Sequence, residues 1–492
     1  MKRIAIVGGG IAGLSAAYEL ALQQRAGAPI EFTLFEASSR LGGTVETQRG
    51  NGFVLECGPD SWVSEKPWAQ ELAVELGLEN QIIHSEDERR RTYLVRGNTL
   101  KAMPNDMRMM VPIQWASMLN SSLFSWQAKL AYLREPKLAE QLKANALENS
   151  HSSRDESVRD FVFRHFGSEV ADKMAAPLLA GVFGGDIATL SARAVLPAYV
   201  ALEREHGSLI LGLQRRQQQR ADHGKAAVPI FTTLRNGLGG LIEGMEAHIP
   251  ARAVRKGAAV DAIERLGDQW QIRVTSLHET EQRSGNVFDT VVMATPAKAT
   301  ARLLAPVDAR MAELLPRQSS SAIVVALGFS AEQAAELRIP RGFGFLVPQR
   351  SAPAAMGESL EATAQRALLA CTFVDQKFSH RAPPGAVLLR AFFGGPAAPD
   401  LLSEDDATLL RLAHTALGKI LGKLPEPQIS LVRGWPESLP QYAVGHLDRM
   451  AELEARAAGL PNLRLIGNAY RGVGLPDLIH AGRTTARTIV AG

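Results

Sequence analysis

Six residues near the start of the chain have the types and spacing of a nucleotide-binding loop. The segment Gly8-Gly9-Gly10-Ile11-Ala12-Gly13 matches the pattern G-x-G-x-x-G. It lies between a short apolar strand pattern, Lys2 to Val7, and a helix pattern, Ile11 to Gln24. The first glycine permits a tight turn, the second lets the backbone approach a pyrophosphate, and the third allows close helix–sheet packing. Because the helix N-terminus also offers free N–H groups, the sequence predicts that a dinucleotide is bound by Gly8, Gly10, Ala12 and Gly13.

A carboxylate at a suitable distance supports this interpretation. Glu36 follows Gly13 by 23 residues and comes directly after the next apolar strand pattern, Glu31 to Phe35. At that position a carboxylate can accept hydrogen bonds from a ribose 2′-hydroxyl. The fingerprint therefore predicts dinucleotide binding, but it does not choose between NAD and FAD.

Residues for other kinds of catalysis lack a convincing arrangement. Hydrolase triads, paired carboxylates and metal-ligand clusters are not found at characteristic spacings, and the histidines are scattered. This indicates that a bound cofactor performs the difficult chemistry. The two cysteines, Cys57 and Cys371, form no CxxC pair, and we expect buried thiols in a reducing compartment.

Charge and hydropathy limit the binding partners and the cellular location expected for this chain. The chain has 54 Lys and Arg against 51 Asp and Glu, a formal charge of +3, which is too near balance to indicate a nucleic-acid partner. It has no uninterrupted apolar run of about 18 residues that could form a spanning helix. The first strand begins by Arg3, which leaves no room for a signal peptide. We expect a cytoplasmic protein, with contact to a membrane surface left open.

A second glycine-containing segment favours FAD. Arg40-Leu41-Gly42-Gly43-Thr44 comes shortly after Glu36 and resembles the R-x-G-G segment of the amine-oxidase-like flavoprotein superfamily. In that superfamily the backbone of this segment runs beside the pyrophosphate. The resemblance implies that FAD is bound partly by Arg40, Gly42, Gly43 and Thr44.

The chain has 492 residues, which is too long for one ordinary hydrophobic core. The elements that position these residues must therefore belong to more than one domain. Helical patterns dominate from about Met103 to Ala226, and strand patterns recur from Ser319 to Arg433. A last strand, Leu463 to Ile466, precedes a helix pattern from about Pro476 to Val490. The predicted fold class is α/β plus α, with a discontinuous Rossmann-type FAD-binding domain, a mixed-sheet substrate domain and a helical insertion. We predict an FAD-binding domain of residues 1–85, 228–300 and 455–492, a substrate-binding domain of residues 86–103 and 301–454, and a helical insertion of residues 104–227.

Further segments, in order along nearly the whole chain, resemble the oxygen-dependent porphyrinogen oxidases of haem synthesis, which act on protoporphyrinogen or coproporphyrinogen. Together they are specific, although none is so alone. They are Glu56-Cys57-Gly58-Pro59-Asp60-Ser61, Leu100-Lys101-Ala102-Met103-Pro104, Gly207-Ser208-Leu209-Ile210, Gly237-Leu238-Gly239-Gly240-Leu241, Gly342-Phe343-Gly344-Phe345-Leu346, Trp435-Pro436, Pro440-Gln441-Tyr442 and Gly467-Asn468-Ala469-Tyr470-Arg471-Gly472-Val473-Gly474-Leu475-Pro476-Asp477.

This resemblance implies how the rest of the flavin is held. The segment Gly58 to Ser61 would pass close to the flavin, the Val260 backbone would meet the adenine, and Trp435 would lie beside the isoalloxazine. The positive end of the last helix would stabilise negative charge on the reduced flavin. No cysteine lies in the last flavin loop, so FAD is predicted to be non-covalent. The implied cofactor contacts are Gly58, Pro59, Asp60, Ser61, Val260, Trp435, Gly467, Val473, Gly474 and Leu475.

The resemblance also implies the reaction: a porphyrinogen is oxidised to the porphyrin with O2 as acceptor, giving H2O2. Lys66 and Arg49 are candidate cations for the substrate's propionates. Thr92 stands where eukaryotic members carry a propionate-binding arginine, so their substrate pose cannot be copied. Coproporphyrinogen has four propionates and protoporphyrinogen has two. Removal of Lys66, or of Arg49 if Lys66 is remote, is therefore predicted to lower turnover of coproporphyrinogen more than that of protoporphyrinogen. Hand-over of the porphyrin to a ferrochelatase is a further expectation.

Other functions remain open on the sequence alone. A flavin amine oxidase and a carotenoid-type desaturase belong to the same superfamily, and a non-enzymatic flavin carrier is the alternative from another class. Aromatic residues make up only 6% of the chain, which disfavours the aromatic cage of an amine oxidase. Asp60 and the Pro476-Asp477 pair resemble the coproporphyrinogen branch more than the membrane-attached protoporphyrinogen branch.

Overall fold

Five parallel strands drawn from the beginning, middle and end of the chain form one sheet. The computed structural model describes residues 1–151, 155–222, 228–276, 286–348 and 357–492. In spatial order the strands of this sheet are Val254–Lys256, Ile30–Glu36, Lys2–Val7, Thr290–Met293 and Leu463–Leu465. Parallel strands need crossover connections, and a helix, Ile11–Arg25, connects the first two in the chain.

The first strand shows why this sheet lies inside the protein. Ile4 and Ile6 pack on one face of the sheet, together with residues of the helix Ile11–Arg25. Ala5 and Val7 pack on the opposite face. A strand covered on both faces has a continuous apolar sequence, which is what the chain has here. The predicted strand is confirmed at the same bounds, and the predicted helix extends by one residue to Arg25.

A second, seven-stranded sheet is mixed. All neighbouring strands in it are antiparallel except Gly344–Leu346 and Thr92–Arg96, which run parallel. Tyr93 faces a core shared with the helix Asp406–Leu421, and Leu94 faces the core of the helical segment. In spatial order the strands are Ile429–Pro440, Ser319–Phe329, Val387–Phe393, Leu368–Phe373, Gly344–Leu346, Thr92–Arg96 and Thr99–Ala102.

The described ranges also contain smaller sheets. They comprise Thr47–Gly50 with Phe53–Glu56, then Trp62–Val63 with Phe231–Leu234 and Ile82–His84, then Ala258–Leu266 with Gln269–Ser276 and Val287–Phe288, and Met107–Arg108 with Val111–Pro112.

Helices fall into three groups. Those around the parallel sheet include Trp68–Glu75, Gly239–Ala247, Ala297–Leu304, Ala309–Leu314, His446–Ala458 and Leu475–Ala491. Those beside the mixed sheet include Ala331–Ala334, Leu360–Ala367, Val374–Lys377, Ala398–Leu401 and Asp406–Leu421. The segment between the two small strands at Val111–Pro112 and Phe231–Leu234 contains Trp115–Asn120, Trp126–Arg134, Ala139–His151, Val158–Phe166, Ser168–Val170, Ala176–Phe183, Ala192–Val195, Pro197–His206 and Leu209–Asp222. None of the helices in the described ranges is both long and apolar enough to cross a bilayer.

A buried ionic network joins the helices of this segment. The His165 ring lies 3.0 Å from a Glu135 carboxylate oxygen and 3.1 Å from Glu203, and Ser208 donates to Glu135. Burial lowers the pKa of His165, but the hydrogen bonds to Glu135 and Glu203 outweigh it, so the pKa of His165 is raised. The His165 imidazole therefore links two buried carboxylates within one helical core.

Removing this link gives a testable pH dependence. Because its folded-state pKa is raised, His165 contributes stability that is fully present below about pH 6.5, its unfolded pKa, and lost as pH rises through the folded value. We expect His165→Gln to lower the free energy of unfolding by about 1–3 kcal/mol at pH 6 and by less at higher pH. Urea denaturation across pH 6 to 9 measures this, and an equal loss at every pH would contradict it.

Candidate active site

The glycine loop after the first strand is tightly packed on one side and open on the other. A Cβ at Gly13 would lie 2.0 Å from the Gly8 carbonyl oxygen, so the helix can approach the strand only with glycine there. A Cβ at Gly10 would meet no atom within 4 Å. Gly10 is also the N-cap of the helix Ile11–Arg25, whose first N–H groups have no partner in the helix. The loop therefore presents an open face to an anion.

Glu36 braces this loop. One oxygen of its carboxylate accepts the Gly9 N–H at 2.6 Å, and the other accepts the Ser38 N–H at 2.7 Å. The sequence predicted that Glu36 contacts a ribose. The structure adds that the same carboxylate holds the loop backbone.

The Arg40–Thr44 segment packs directly against the glycine loop. The Gly42 N–H donates to the Gly9 carbonyl at 2.8 Å, and a Cβ at Gly43 would lie 3.1 Å from Gly10 Cα. Gly42 has a φ of +100°, a conformation that L side chains rarely adopt. The Arg40 guanidinium donates to the Gly43 carbonyl at 2.6 Å and pairs with Glu46 at 3.0 Å. These contacts of the Arg40 side chain fix the backbone conformation of the Arg40–Thr44 segment.

The Gly58–Ser61 segment continues the same surface. A Cβ at Gly58 would lie 1.9 Å from the Thr44 carbonyl oxygen, so these two segments also touch. The Trp435 indole N–H donates to the Cys57 carbonyl at 2.7 Å, and its ring lies 5.6 Å from the Arg40 guanidinium. Trp435 is thus fixed where the Arg40–Thr44 and Gly58–Ser61 segments meet.

The last loop, Gly467–Leu475, is tied to the rest of the site by hydrogen bonds and packing. Asn468 donates to the Ser438 carbonyl at 3.0 Å, and the Asn468 carbonyl accepts the Tyr442 hydroxyl at 2.6 Å. Gly474 is the N-cap of the helix Leu475–Ala491, so Val473, Gly474 and Leu475 lie at the positive end of its dipole. Leu475 is buried in one core with Ile11 of the first helix.

Val260 lies at the outer side of this region. It is buried in the strand Ala258–Leu266, where the pairing register shifts between Val260 and Ala262. Such a bulge changes the direction of a strand and leaves backbone groups free of the ladder. The predicted contact to adenine was through backbone groups of this residue.

The candidate substrate cations are already paired. Both oxygens of Asp477 lie 2.6 Å from Lys66 Nζ, an ion pair that joins the turn after Ser61 to the first turn of the last helix. Arg49 donates to the Asn236 carbonyl at 2.8 Å and lies 3.6 Å from Glu243. Neither side chain is a free cation, which the sequence did not indicate.

A buried ionic cluster that was not predicted from the sequence lies against Gly58–Ser61. Asp60 pairs with Lys377 at 3.0 Å and with Arg390 at 3.3 Å, while Arg381 pairs with Glu56 at 3.0 Å. Arg390 also donates to the Gly58 carbonyl. Burial raises the pKa of the Asp60 carboxyl, but Lys377 and Arg390 outweigh burial and hold that pKa well below its usual range. Three cations against two carboxylates leave one excess positive charge behind the segment.

One signal could have revealed this cluster. Arg390 interrupts the apolar strand Val387–Phe393, and a charge in such a strand must have a buried partner. The identity of that partner could not be found, because Asp60 is 330 residues away in the chain.

Comparison with known proteins defines the class. The flavin containing amine oxidoreductase model matches residues 11–490, and the chain belongs to this family. It is therefore an oxidoreductase with a flavin cofactor.

Two relatives and one solved structure resemble this chain over nearly its whole length. The chain is 32% identical to a coproporphyrinogen III oxidase of Bacillus subtilis, covering 98% of this chain and 96% of that protein. It is 28% identical to the chloroplastic protoporphyrinogen oxidase 1 of Arabidopsis thaliana, covering 98% and 86%. A solved structure from Exiguobacterium sp. 255-15, provisionally described as a protoporphyrinogen oxidase, superposes with a TM-score of 0.80 at 29% identity and covers 100% and 99%.

Proposed function

We propose that this protein binds FAD non-covalently and oxidises a porphyrinogen to the porphyrin, with O2 as acceptor and H2O2 as co-product. The observation that carries this proposal is similarity over 98% of the chain to a coproporphyrinogen III oxidase. Coproporphyrinogen III is the proposed substrate, and protoporphyrinogen IX is the alternative.

The residues present fit FAD. The open face at Gly10 and the unpaired N–H groups of the helix Ile11–Arg25 suit a pyrophosphate, with Gly42 and Gly43 beside it. Glu36 would accept from the ribose, and the Val260 backbone would contact the adenine. Gly58–Ser61, Trp435 and the Val473–Leu475 helix start would surround the flavin ring. This arrangement corresponds to a Rossmann-type domain formed by residues 1–85, 228–300 and 455–492.

A bound flavin would supply the acceptor for the hydrogen removed from the substrate. The protein's own groups stabilise the negative charge that reduction creates. The start of the last helix contributes a positive dipole at Val473–Leu475. The Asp60–Lys377–Arg390 cluster, which contacts the Gly58 carbonyl through Arg390, would add positive potential near the flavin. Residues 86–103 and 301–454 would bind the macrocycle, against the helical insertion of residues 104–227.

Direct assay tests the reaction. The purified protein is expected to be yellow, to release free FAD on acid or heat denaturation, and to generate porphyrin fluorescence aerobically from coproporphyrinogen III. Flavin that stays on the denatured chain would contradict non-covalent binding. Absence of porphyrin from both porphyrinogens would contradict the reaction. A cytoplasmic location, membrane contact and hand-over to a ferrochelatase stay predictions.

The pairing of Lys66 changes the result expected from its removal. Lys66→Ala would free Asp477 and loosen the start of the last helix, rather than remove a substrate cation. We expect weaker FAD binding by about two- to fivefold, the usual range for a half-exposed ion pair, and equal effects on the two porphyrinogens. Asp477→Asn should match it, whereas Lys173→Ala, which removes a surface pair to Glu169, should not. A selective loss of coproporphyrinogen turnover would instead place Lys66 at the substrate.

A further inference from the structure

Four arginines line a cavity at the beginning of two neighbouring strands. The cavity has a volume of about 420 Å³ and is lined by Glu88, Arg89, Arg90, Arg91, Asn105 and Arg341. Arg91 directly precedes the strand Thr92–Arg96, and Arg341 shortly precedes Gly344–Leu346, which pairs with it in parallel. The Arg91 carbonyl accepts the Phe343 N–H at 2.9 Å, which holds the two strand starts together. The arginines are therefore placed by the sheet rather than by a free loop.

The positive charges in this cavity are only partly balanced by carboxylates: Glu88 lines it, and Asp87 interacts with Arg90. Within the described ranges, no carboxylate lies within 4 Å of a guanidinium nitrogen of Arg89, Arg90, Arg91 or Arg341. The half-buried Arg90 guanidinium donates to the Asn105 carbonyl at 2.9 Å. Burial lowers the pKa of Arg90, and neighbouring Arg108 lowers it further. Glu88 is the single carboxylate in the lining, so the cavity carries a large excess of positive charge.

Hydrogen bonds connect the cavity to the proposed flavin site. Gln376 accepts the Gly342 N–H at 2.9 Å and donates to the Pro340 carbonyl at 3.1 Å, so it holds both neighbours of Arg341. The next residue, Lys377, bonds Asp60 at 3.0 Å. The Lys377 carbonyl also accepts the Glu86 N–H, three residues before Arg89. The cavity thus lies at the end of the mixed sheet whose strand Val387–Phe393 contacts Gly58 through Arg390.

We infer that this cavity binds carboxylate groups of the substrate. The inference rests on the proposed function and deepens it. A guanidinium donates two parallel N–H bonds to a carboxylate, and four of them around one cavity suit a ligand with several carboxylates. Its volume is within the range of small-molecule sites. The cations lie at Arg89, Arg90, Arg91 and Arg341, so an uncharged Thr92 is compatible with propionate binding.

The test compares two double variants that each remove two positive charges. Arg90→Gln/Arg91→Gln changes the cavity, and Arg252→Gln/Arg302→Gln removes two exposed arginines elsewhere. Coproporphyrin III, with four carboxylates, and protoporphyrin IX, with two, are titrated into each protein and followed by fluorescence. We expect Arg90→Gln/Arg91→Gln to raise the Kd for coproporphyrin III about tenfold, to raise that for protoporphyrin IX less, and to leave the flavin content unchanged. The control variant should bind both porphyrins like the wild type.

A second probe separates this inference from the proposed function. Benzenehexacarboxylate, followed by calorimetry, should bind the wild type and the control but not Arg90→Gln/Arg91→Gln. Unchanged coproporphyrin III affinity in Arg90→Gln/Arg91→Gln would overturn the inference, even where the wild type oxidises coproporphyrinogen. The inference would also be overturned if Arg90→Gln/Arg91→Gln lost binding only to phosphatidylglycerol vesicles, because the arginines would then bind a lipid surface. If the wild type oxidises no porphyrinogen, the proposed function fails, and arginine-dependent benzenehexacarboxylate binding still supports a carboxylate site.

Discussion

A Gly10→Val variant is expected to fold normally and to contain almost no flavin. A Cβ at this position meets no protein atom within 4 Å, so the valine side chain would occupy the open face beside the helix N-terminus. That is the space proposed for the pyrophosphate. The backbone of Gly10 has a φ of −64°, which valine adopts without strain. The cost to the free energy of unfolding should be about 1 kcal/mol, the penalty for a branched residue at a helix N-cap.

Gly13→Val provides the matched comparison. There the added Cβ would lie 2.0 Å from the Gly8 carbonyl oxygen, so the helix must move away from the strand. We expect loss of flavin together with a loss of more than about 4 kcal/mol in the free energy of unfolding, a size reserved for specific structural damage. Absorbance at 450 nm per chain and urea denaturation of the apoproteins measure the two effects separately. Full flavin occupancy in either variant would contradict the assignment of this loop.

The second large effect is expected from Asp60→Asn. This change keeps the shape of the side chain but leaves Lys377 and Arg390 without their carboxylate. Breaking a buried ion pair by removing one partner typically costs about 3–5 kcal/mol, because the remaining charge stays buried and unpaired. We expect a loss of that size in urea denaturation at pH 7. Asp60→Asn/Lys377→Met should recover part of it, whereas Asp268→Asn, on an exposed turn, should have no measurable effect.

The pH dependence of the same variant follows from the direction of the shift. The folded-state pKa of Asp60 is lowered, so its contribution is fully present above the unfolded pKa of about 4 and is lost as pH falls below that value. The difference in stability between wild type and Asp60→Asn should therefore be present at pH 5 and shrink as pH falls below 4. A difference that vanishes at pH 7 would show that the cluster does not stabilise the fold.

The parts of the fold that the sequence predicted are those determined by local patterns. Ile4 to Val7 form a continuous apolar run, and the glycine spacing marks the turn into the helix Ile11–Arg25. Both elements and the loop between them therefore followed from adjacent residues. The strands Ser319–Phe329 and Val387–Phe393 were likewise recognisable from their apolar runs. Their order in the mixed sheet was not, because it depends on pairing between distant segments.

In the candidate site, too, features with a local sequence signal were predicted, and those that depend on distant residues were not. Segments such as Arg40–Thr44 were identified from their own residues, and the structure then showed how they touch. The partner of Lys66 could not be predicted, because Asp477 is 411 residues away and a half-exposed lysine has no local signal of pairing. Lys377 and Arg381 were missed for a related reason. Their burial depends on Glu56 and Asp60, which precede them by more than 300 residues.

The contact between the first and last helices determines when the cofactor can be loaded during synthesis. A Cβ at Gly482 would lie 2.3 Å from the Ala12 carbonyl oxygen, so the two helices pack closely at the first turn of the helix Ile11–Arg25. The strand Leu463–Leu465 at the sheet edge and the helix Leu475–Ala491 leave the ribosome after every other element of the site. A nascent chain therefore has the glycine loop from its first residues but lacks the wall that would retain a flavin. A flavin can therefore be enclosed only after the helix Leu475–Ala491 has been synthesised and has packed against the first helix.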